Sequence, residues 1–175
     1  MKESFRFFPE SLDYDLAIRA INDEAFGPGR FVRAAMLLRE RGMHDLDLSF
    51  LCADGEEIIA SVRMTPIIAG TVRGHILGPI AVRPLYQKRG IGRKLVQMAI
   101  DAASKNGSEA IILIGDFPYY SQFGFKQVPI NNLEFPGPVD PKRVMFLPLI
   151  GDIVENLKGV VRCREIYQGS KSKGV

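Results

Sequence analysis

The sequence predicts an α/β (α+β) fold, with one mixed, mostly antiparallel sheet, helices on both of its faces and a single parallel strand pair. Three observations predict it. Apolar residues alternate with polar ones ahead of the hairpin signal Asp54-Gly55, and two long β segments follow at residues 57–69 and 72–83. Residues 91–105 then repeat with the period of an amphipathic helix. Residues 109–115 hold Ala-Ile-Ile-Leu-Ile, a run too short for a helix and apolar throughout, as in strands buried on both faces. A strand, a crossover helix and a second strand in that order place the two strands parallel.

The elements follow in order along the chain. Phe5, Phe7 and Phe8, ended by Pro9, read as a first strand. Residues 11–26 place Leu12, Leu16, Ile18 and Ile21 at helical spacing, and Gly27-Pro28-Gly29 breaks the helix. A second helix spans residues 31–41, with Ala34, Ala35, Leu37 and Leu38, and stops at Gly42. From Leu46 the alternation of Leu46, Leu48 and Phe50 marks a strand up to the hairpin turn. Ala69-Gly70 separates the two long segments of the meander. The helix at 91–105 puts Ile91, Leu95, Met98, Ala99 and Ala102 on one face and Arg93, Lys94, Gln97, Asp101 and Lys105 opposite, and Asn106-Gly107 stops it. After the apolar strand come a short aromatic helix at 117–123, a segment at 125–129 and a last strand at 143–150.

The chain has 175 residues, 46% hydrophobic and 25% charged, which suits one domain with a true core. We read residues 1–150 as that domain and 151–175 as a C-terminal extension packing on it or trailing from it. Two cysteines, Cys52 and Cys163, and two histidines, none at metal-ligand spacing, exclude a disulfide scaffold and a Cys/His zinc site. A net charge of +3 is too small to suggest a nucleic-acid binder. No apolar run nears the roughly 20 residues that span a bilayer, and residues 1–10 lack a signal-peptide core, so the expectation is a cytoplasmic protein without a membrane partner.

The chemistry concentrates at Gln87-Lys88-Arg89-Gly90-Ile91-Gly92, between a strand and the amphipathic helix. Helix starts expose unpaired N–H groups and a partial positive charge, which most sequences answer with a capping side chain or an acid. This one supplies Lys88, Arg89, Arg93 and Lys94 instead, with no acid before Asp101. That pattern asks for an anion. It is neither a Walker loop nor a dinucleotide fingerprint, since the lysine–hydroxyl pair of the first and the third glycine of the second are missing. Gly78-Pro79 inside a β segment adds a second signal, because proline cannot donate to a ladder and glycine invites a bulge, so strand pairing should open there.

Gln87 to Gly92 resembles the Gln/Arg-x-x-Gly-x-Gly/Ala signature of the GNAT superfamily of acetyl-CoA-dependent acyltransferases. Ile80-Ala81-Val82 precedes it at the family's spacing, and Tyr120-Ser121-Gln122-Phe123-Gly124-Phe125 matches the downstream Tyr-x-x-x-Gly-Phe segment. The Gly-Asp-x-x-Tyr-Tyr stretch around Asp116, the Pro-Gly at Pro136 and the Leu-Lys-Gly-Val-Val at Leu157 are more narrowly similar to the YhbS-type acetyltransferases. The resemblance implies acetyl-CoA as acyl donor and no metal. It implies that the amides of Lys88, Arg89, Gly90, Ile91, Gly92 and Arg93, together with Gln87, hold the pyrophosphate. It also implies that Ile80, Ala81 and Val82 form an exposed edge for the pantetheine arm, with the Ile80 N–H on the thioester carbonyl.

Transfer to an amine also asks for a proton on the leaving thiolate, and a phenol suits that task. By the resemblance Tyr120 occupies the acid position, with Tyr119 as the competing candidate and core packing as the alternative for both. The base stays open. Where many relatives carry a glutamate, four residues before Ile80, this chain has Ile76. His75 is next to it, and alternation turns it to the opposite face from Ile76. Asp116 could act through water or cap the helix after it. The expected function is acetyl transfer to a small-molecule or protein amine, with a homodimer left open. The alternatives are a non-catalytic acyl-CoA-binding module and a nucleotide-phosphate-binding regulator.

Overall fold

A computed structural model describes residues 4–27 and 34–164. The meander is the spine: β1 (Arg6–Pro9), β2 (Phe50–Asp54), β3 (Glu57–Ala69) and β4 (Val72–Val82) are antiparallel neighbours in that order. β5 (Ala110–Ile114) joins β4 in parallel, after the crossover helix. The sheet closes with β6 (Lys126–Gln127) and β8 (Val144–Pro148), β8 lying between β5 and β6 and antiparallel to both. β3 is longer than its partner β2, and β9 (Gly159–Cys163) covers the leftover edge at Ile67–Ala69, paired in turn with β7 (Leu133–Glu134). An uncovered edge would leave a row of unpaired backbone groups.

Helices occupy both faces. α1 (Asp15–Phe26) and α2 (Ala34–Arg39) lie on one, α3 (Ile91–Lys105) on the other, and α4 (Phe117–Tyr120) follows β5. Strand alternation sorts the core between them: in β2, Phe50 and Cys52 pack toward α3 while Leu51 and Ala53 pack toward α1. α3 keeps the predicted limits, but its buried stripe is Ile91, Leu95, Val96, Ala99, Ile100 and Ala103, with Met98 and Ala102 only half-buried at its margin.

Other sequence expectations need correction. The first helix begins at Asp15 after a 3-10 turn, and only Ile18, Ile21 and Asn22 are buried, while Leu12 and Leu16 stand in solvent. Leu46–Leu48 is a 3-10 turn rather than strand, because the Asp45 carboxylate accepts from the Asp47 N–H and bends the backbone before Phe50. Residues 143–150 do not hold the last strand, since β9 follows. The second helix is described only from Ala34, and the Pro28-Gly29 break and the start at Phe31 lie outside the described residues.

Candidate functional site

β4 and β5 pair only at His75–Ile111 and Ile76–Ile112. Beyond that point β4 carries a bulge: Val62 of β3 faces Ile80 and Met64 faces Leu77, so Arg63 alone spans Gly78 and Pro79. Gly78 has φ +127°, a conformation side chains disfavour. The extra residue reverses the alternation. Ile76 packs toward α2 and Leu77 toward α3, yet past the bulge Ile80 packs toward α3 and Ala81 toward α1.

Backbone direction past the bulge follows from one bond. The Arg83 N–H donates to Ile59 O at 2.8 Å, so Arg83 and, two residues back, Ala81 spend their backbone groups on β3. Ile80 and Val82 therefore turn theirs away from β3, into the gap that β5 leaves open. The Val82 carbonyl is taken by the Gln87 side-chain amide at 3.2 Å, which leaves both groups of Ile80 and the Val82 N–H facing the gap. Ala81 faces β3 and Gln87 braces the turn, so neither presents itself to the gap.

The turn before α3 contains two left-handed residues, Lys88 at φ +61° and Gly90 at φ +78°. Alternation of this kind points successive amides into one concavity. Gly90 is the N-cap, no side chain caps the helix, and its first turn has no acid. The first intrahelical bond is Lys94 N–H to Gly90 O, so the amides of Ile91, Gly92 and Arg93 have no helical partner. Side chains in the basic run are only partly turned to this concavity: Lys94 Nζ sits 4.0 Å above the Phe7 ring, the Arg89 guanidinium lies over Tyr86, and Arg93 donates to Gln122 Oε1 at 3.2 Å.

Gly115, at the end of β5, leaves room for the Tyr120 ring, which any side chain there would strike. Tyr120 packs edge-on against Tyr119 and Phe125, and its burial pushes the phenol up to about 12. Burial also raises Tyr119, opposed by the positive charge of Arg93. The two side chains sit in different places. Tyr120 lines a cavity of about 370 Å³ together with Gly78, Pro79 and Ile80, whereas Tyr119 Oη lies 3.6 Å from where a Gly92 Cβ would stand, beside the start of α3.

Polar and aromatic parts of its other walls include Asn22 and Phe26 of α1, Arg39 of α2, Asp116 after β5, and Asp140 and Arg143 before β8. Asp116 occupies the N-cap of α4 but makes no side-chain cap, and instead lies 3.4 Å from Arg143 Nη2. Ile76 is fully buried in the apolar cluster with Ala110 and Ile112. The bulge puts His75 on the same face as Ile80, contrary to simple alternation, but His75 is buried with Nδ1 3.0 Å from Ser108 Oγ and Nε2 3.6 Å from Asp45. It holds the end of α3 to the sheet rather than facing the gap. Asp140 ends the segment 131–140 that the sequence marks as bearing on the acceptor, whereas Asn22, Arg39 and Arg143 are not singled out by it. Asn22 alone left a trace, as a polar residue on the apolar stripe of Ile18 and Ile21.

A buried charge network anchors the bulge from behind. Arg63 Nη2 lies 2.6 Å from Glu10 Oε1 and 3.0 Å from Asp15 Oδ1, and His44 Nε2 is 2.8 Å from the same Glu10 oxygen. Burial pushes the Glu10 carboxyl up, but bonds from His44 and Arg63 and their charge outweigh it and hold it below the ordinary range. A second cavity of about 310 Å³ lies over this network and shares Asn22, Met36, Arg39 and Pro79 with the first.

The acetyltransferase (GNAT) family model matches residues 16–125. The chain is similar to the uncharacterized N-acetyltransferase YhbS of Escherichia coli K12, 29% identical over 136 residues that cover 74% of this chain and 78% of the relative. It is also similar to YjhQ of the same organism, 28% identical over 94 residues and 52% of each chain. The crystal structure of E. coli YhbS in complex with CoA has TM-score 0.77 at 23% identity, covering 94% of this chain and 92% of that one. A GNAT acetyltransferase from Brucella melitensis in complex with acetyl-CoA has TM-score 0.64 at 22% identity, covering 86% and 91%.

Proposed function

The chain belongs to the acetyltransferase (GNAT) family, and from that premise we propose that it transfers an acetyl group from acetyl-CoA to an amine by direct attack. The observation that carries this reading is the gap past the β4 bulge. Ile80, whose N–H turns away from β3, and Tyr120 line one cavity there, and the uncapped start of α3 follows β4 in the chain. The residues present fit the donor. The amides of Ile91, Gly92 and Arg93 suit a pyrophosphate, and the free groups of Ile80 and Val82 suit an amide-bearing arm laid along β4.

Acetyl-CoA supplies the acetyl group as a thioester. The Ile80 N–H is aimed into the gap, where it would donate to the carbonyl oxygen as negative charge develops there; a fixed donor of this kind contributes roughly 3 to 4 kcal/mol where it has been measured. The amine nitrogen forms the new bond to the carbonyl carbon, the C–S bond breaks, and the amine gives up one proton to solvent. Tyr120, protonated throughout the working range, donates a hydrogen bond and then its proton to the thiolate and regains one from water. Its raised pKa makes complete transfer less favourable than for an exposed phenol, so stabilising the thiolate is the larger part of its task. No carboxylate stands at Ile76, and Asp116, paired with Arg143 at the cavity wall, would act only through water. Two free cysteines, Cys52 and Cys163, fit a cytoplasmic setting. Among the described residues no helix is long and apolar enough to cross a membrane.

The test is release of CoA from acetyl-CoA in the presence of primary amines, alongside thermal shifts with CoA and with ATP. A CoA-specific shift and amine-dependent release are expected. A shift without release under any amine would leave a binding module, and an equal shift with ATP would leave a nucleotide-phosphate site.

A further inference from the structure

A glycine leaves room where every other residue carries a Cβ, and what borders that room differs from one glycine to the next. At Gly74 and Gly115 it is taken, by the Ala110 carbonyl and by the Tyr120 ring. At Gly78, in the β4 bulge, it is open. A Cβ there would stand 3.3 Å from Arg39 Nη1 and 4.0 Å from the Ile80 nitrogen, and among the described residues, Leu77 and Pro79 aside, nothing else comes within 4 Å. One guanidinium nitrogen from α2 and one backbone nitrogen from β4 thus border a single open space. Arg39, Gly78 and Ile80 all line the cavity that Tyr120 lines. α2 is firmly placed there, since Leu38, next to Arg39, is buried and its carbonyl accepts from Cys163 Sγ of β9 at 2.6 Å.

We propose that Arg39 is a catalytic residue, a second donor beside the Ile80 N–H to the thioester carbonyl oxygen during transfer. This rests on the acetyltransferase reading above and adds a residue to it. An oxygen that accepts from the Ile80 N–H lies about 2.9 Å from that nitrogen, and on the cavity side this brings it toward the space that Nη1 borders. As the amine nitrogen bonds to the carbonyl carbon, the π pair of the C=O bond moves onto oxygen. The pair returns as the C–S bond breaks and the thiolate leaves. A guanidinium keeps its protons throughout, so Arg39 adds charge stabilisation without a proton step. It has five N–H donors, and this role asks for Nη1 alone, whatever the others hold. A cation gains most where negative charge develops, so its effect falls on the transition state more than on the bound thioester.

The experiment compares wild type with Arg39→Ala and Arg39→Gln by CoA release from acetyl-CoA, with ethanolamine, benzylamine and L-lysine as acceptors. Arg39→Ala should lower kcat roughly 100-fold, the loss expected for one oxyanion donor, with KM for acetyl-CoA and for the amine within about threefold of wild type. Arg39→Gln, which keeps a donor but loses the charge, should lower kcat roughly tenfold or more. Ethylguanidinium chloride should restore part of the kcat of Arg39→Ala and leave wild type unchanged. Melting temperature and the CoA-induced shift should match wild type in both variants. A kcat within about threefold of wild type in Arg39→Ala overturns the proposal. So does a raised amine KM at unchanged kcat, because Arg39 would then hold the acceptor. A lost kcat with a lowered melting temperature and no response to ethylguanidinium also overturns it, because Arg39 would then be structural. Should Arg39→Ala fail to fold, Arg39→Gln decides by the same split between kcat and KM. If wild type itself releases no CoA with any amine, the acetyltransferase reading fails first and this proposal with it; activity in wild type equalled by the variants sinks this proposal alone.

Discussion

Replacing Gly92 separates the two reasons a glycine can occupy the second position of α3. A Cβ there would meet Tyr119 Oη, Val82 Cγ2 and Ile80 Cδ1 at 3.6 to 3.8 Å, which are ordinary contacts, so the folded protein has room for a methyl group. Alanine also gains up to about 1 kcal/mol over glycine in a helix, or about 2–4 °C of melting temperature for a chain of this size. Gly92→Ala should therefore be neutral or stabilising and keep coenzyme binding. Gly92→Leu has no such freedom: its γ carbon must press on those three groups or stand in front of the amides of Ile91 to Arg93. CoA at about 100 times its Kd should stabilise wild type by roughly 2.7 kcal/mol. A tenfold loss of affinity removes about 1.4 kcal/mol of that, so the shift for Gly92→Leu should fall by half or more. Differential scanning fluorimetry with and without CoA, at low and high salt, reads both quantities, and salt should shrink the wild-type shift. A full CoA shift in Gly92→Leu would refute the placement of the phosphates at the start of α3.

Tyr120→Phe should lower kcat with the CoA shift unchanged, whereas Tyr119→Phe, whose hydroxyl sits beside Gly92, should affect coenzyme binding more than turnover; equal kcat for Tyr120→Phe and wild type across pH removes Tyr120 from the mechanism. Because burial holds the Tyr120 phenol up to about 12, activity should not decline on the alkaline side between about pH 8 and 10 through loss of its proton, and a pH–rate profile checks this. Asp116→Ala should cost less than the roughly 100-fold of a true general base. His75→Ala should act on melting temperature, through the lost contact with Ser108, and leave the turnover of folded protein near wild type. Glu10→Gln should destabilise by about 1–3 kcal/mol, since it removes the charge facing Arg63 while the Asp15 carboxylate still pairs with the guanidinium. For wild type, the depressed Glu10 carboxyl contributes stability that is present above its unfolded pKa of about 4.3 and is lost as pH falls through the lower folded value, so the melting temperature should fall below about pH 4, and less steeply in the glutamine variant, in which the depressed Asp15 and Asp45 carboxyls still contribute.

Much of the molecule was legible as local pattern. The hairpin at Asp54-Gly55, the limits of α3, the parallel entry of β5 and the break at Gly78-Pro79 each follow from residues close together in sequence, because turn conformations, helix starts and missing N–H donors are properties of single residues and their neighbours. For the same reason the uncapped, acid-free start of α3 could be read as an anion site. Short apolar segments misled where a competing local bond existed, as with the Asp45 cap that bends Leu46–Leu48 out of extended form.

What only the tertiary structure decided are the relations across the bulge. One extra residue in β4 reverses which side chains share a face, so counting by twos from Ile80 back to His75 fails. That Ile80 and Val82 offer backbone groups to the gap while Ala81 does not depends on the register with β3, set some twenty residues away. Tyr119 and Tyr120 are neighbours in sequence and sit at different parts of the cleft. Asn22 and Arg39 reach the cavity because α1 and α2 pack on that face of the sheet. Sequence periodicity determines which residues want to be buried, since burial energy depends on a side chain's own surface. Which polar groups then border one space depends on segments far apart in the chain, and only their packing decides it.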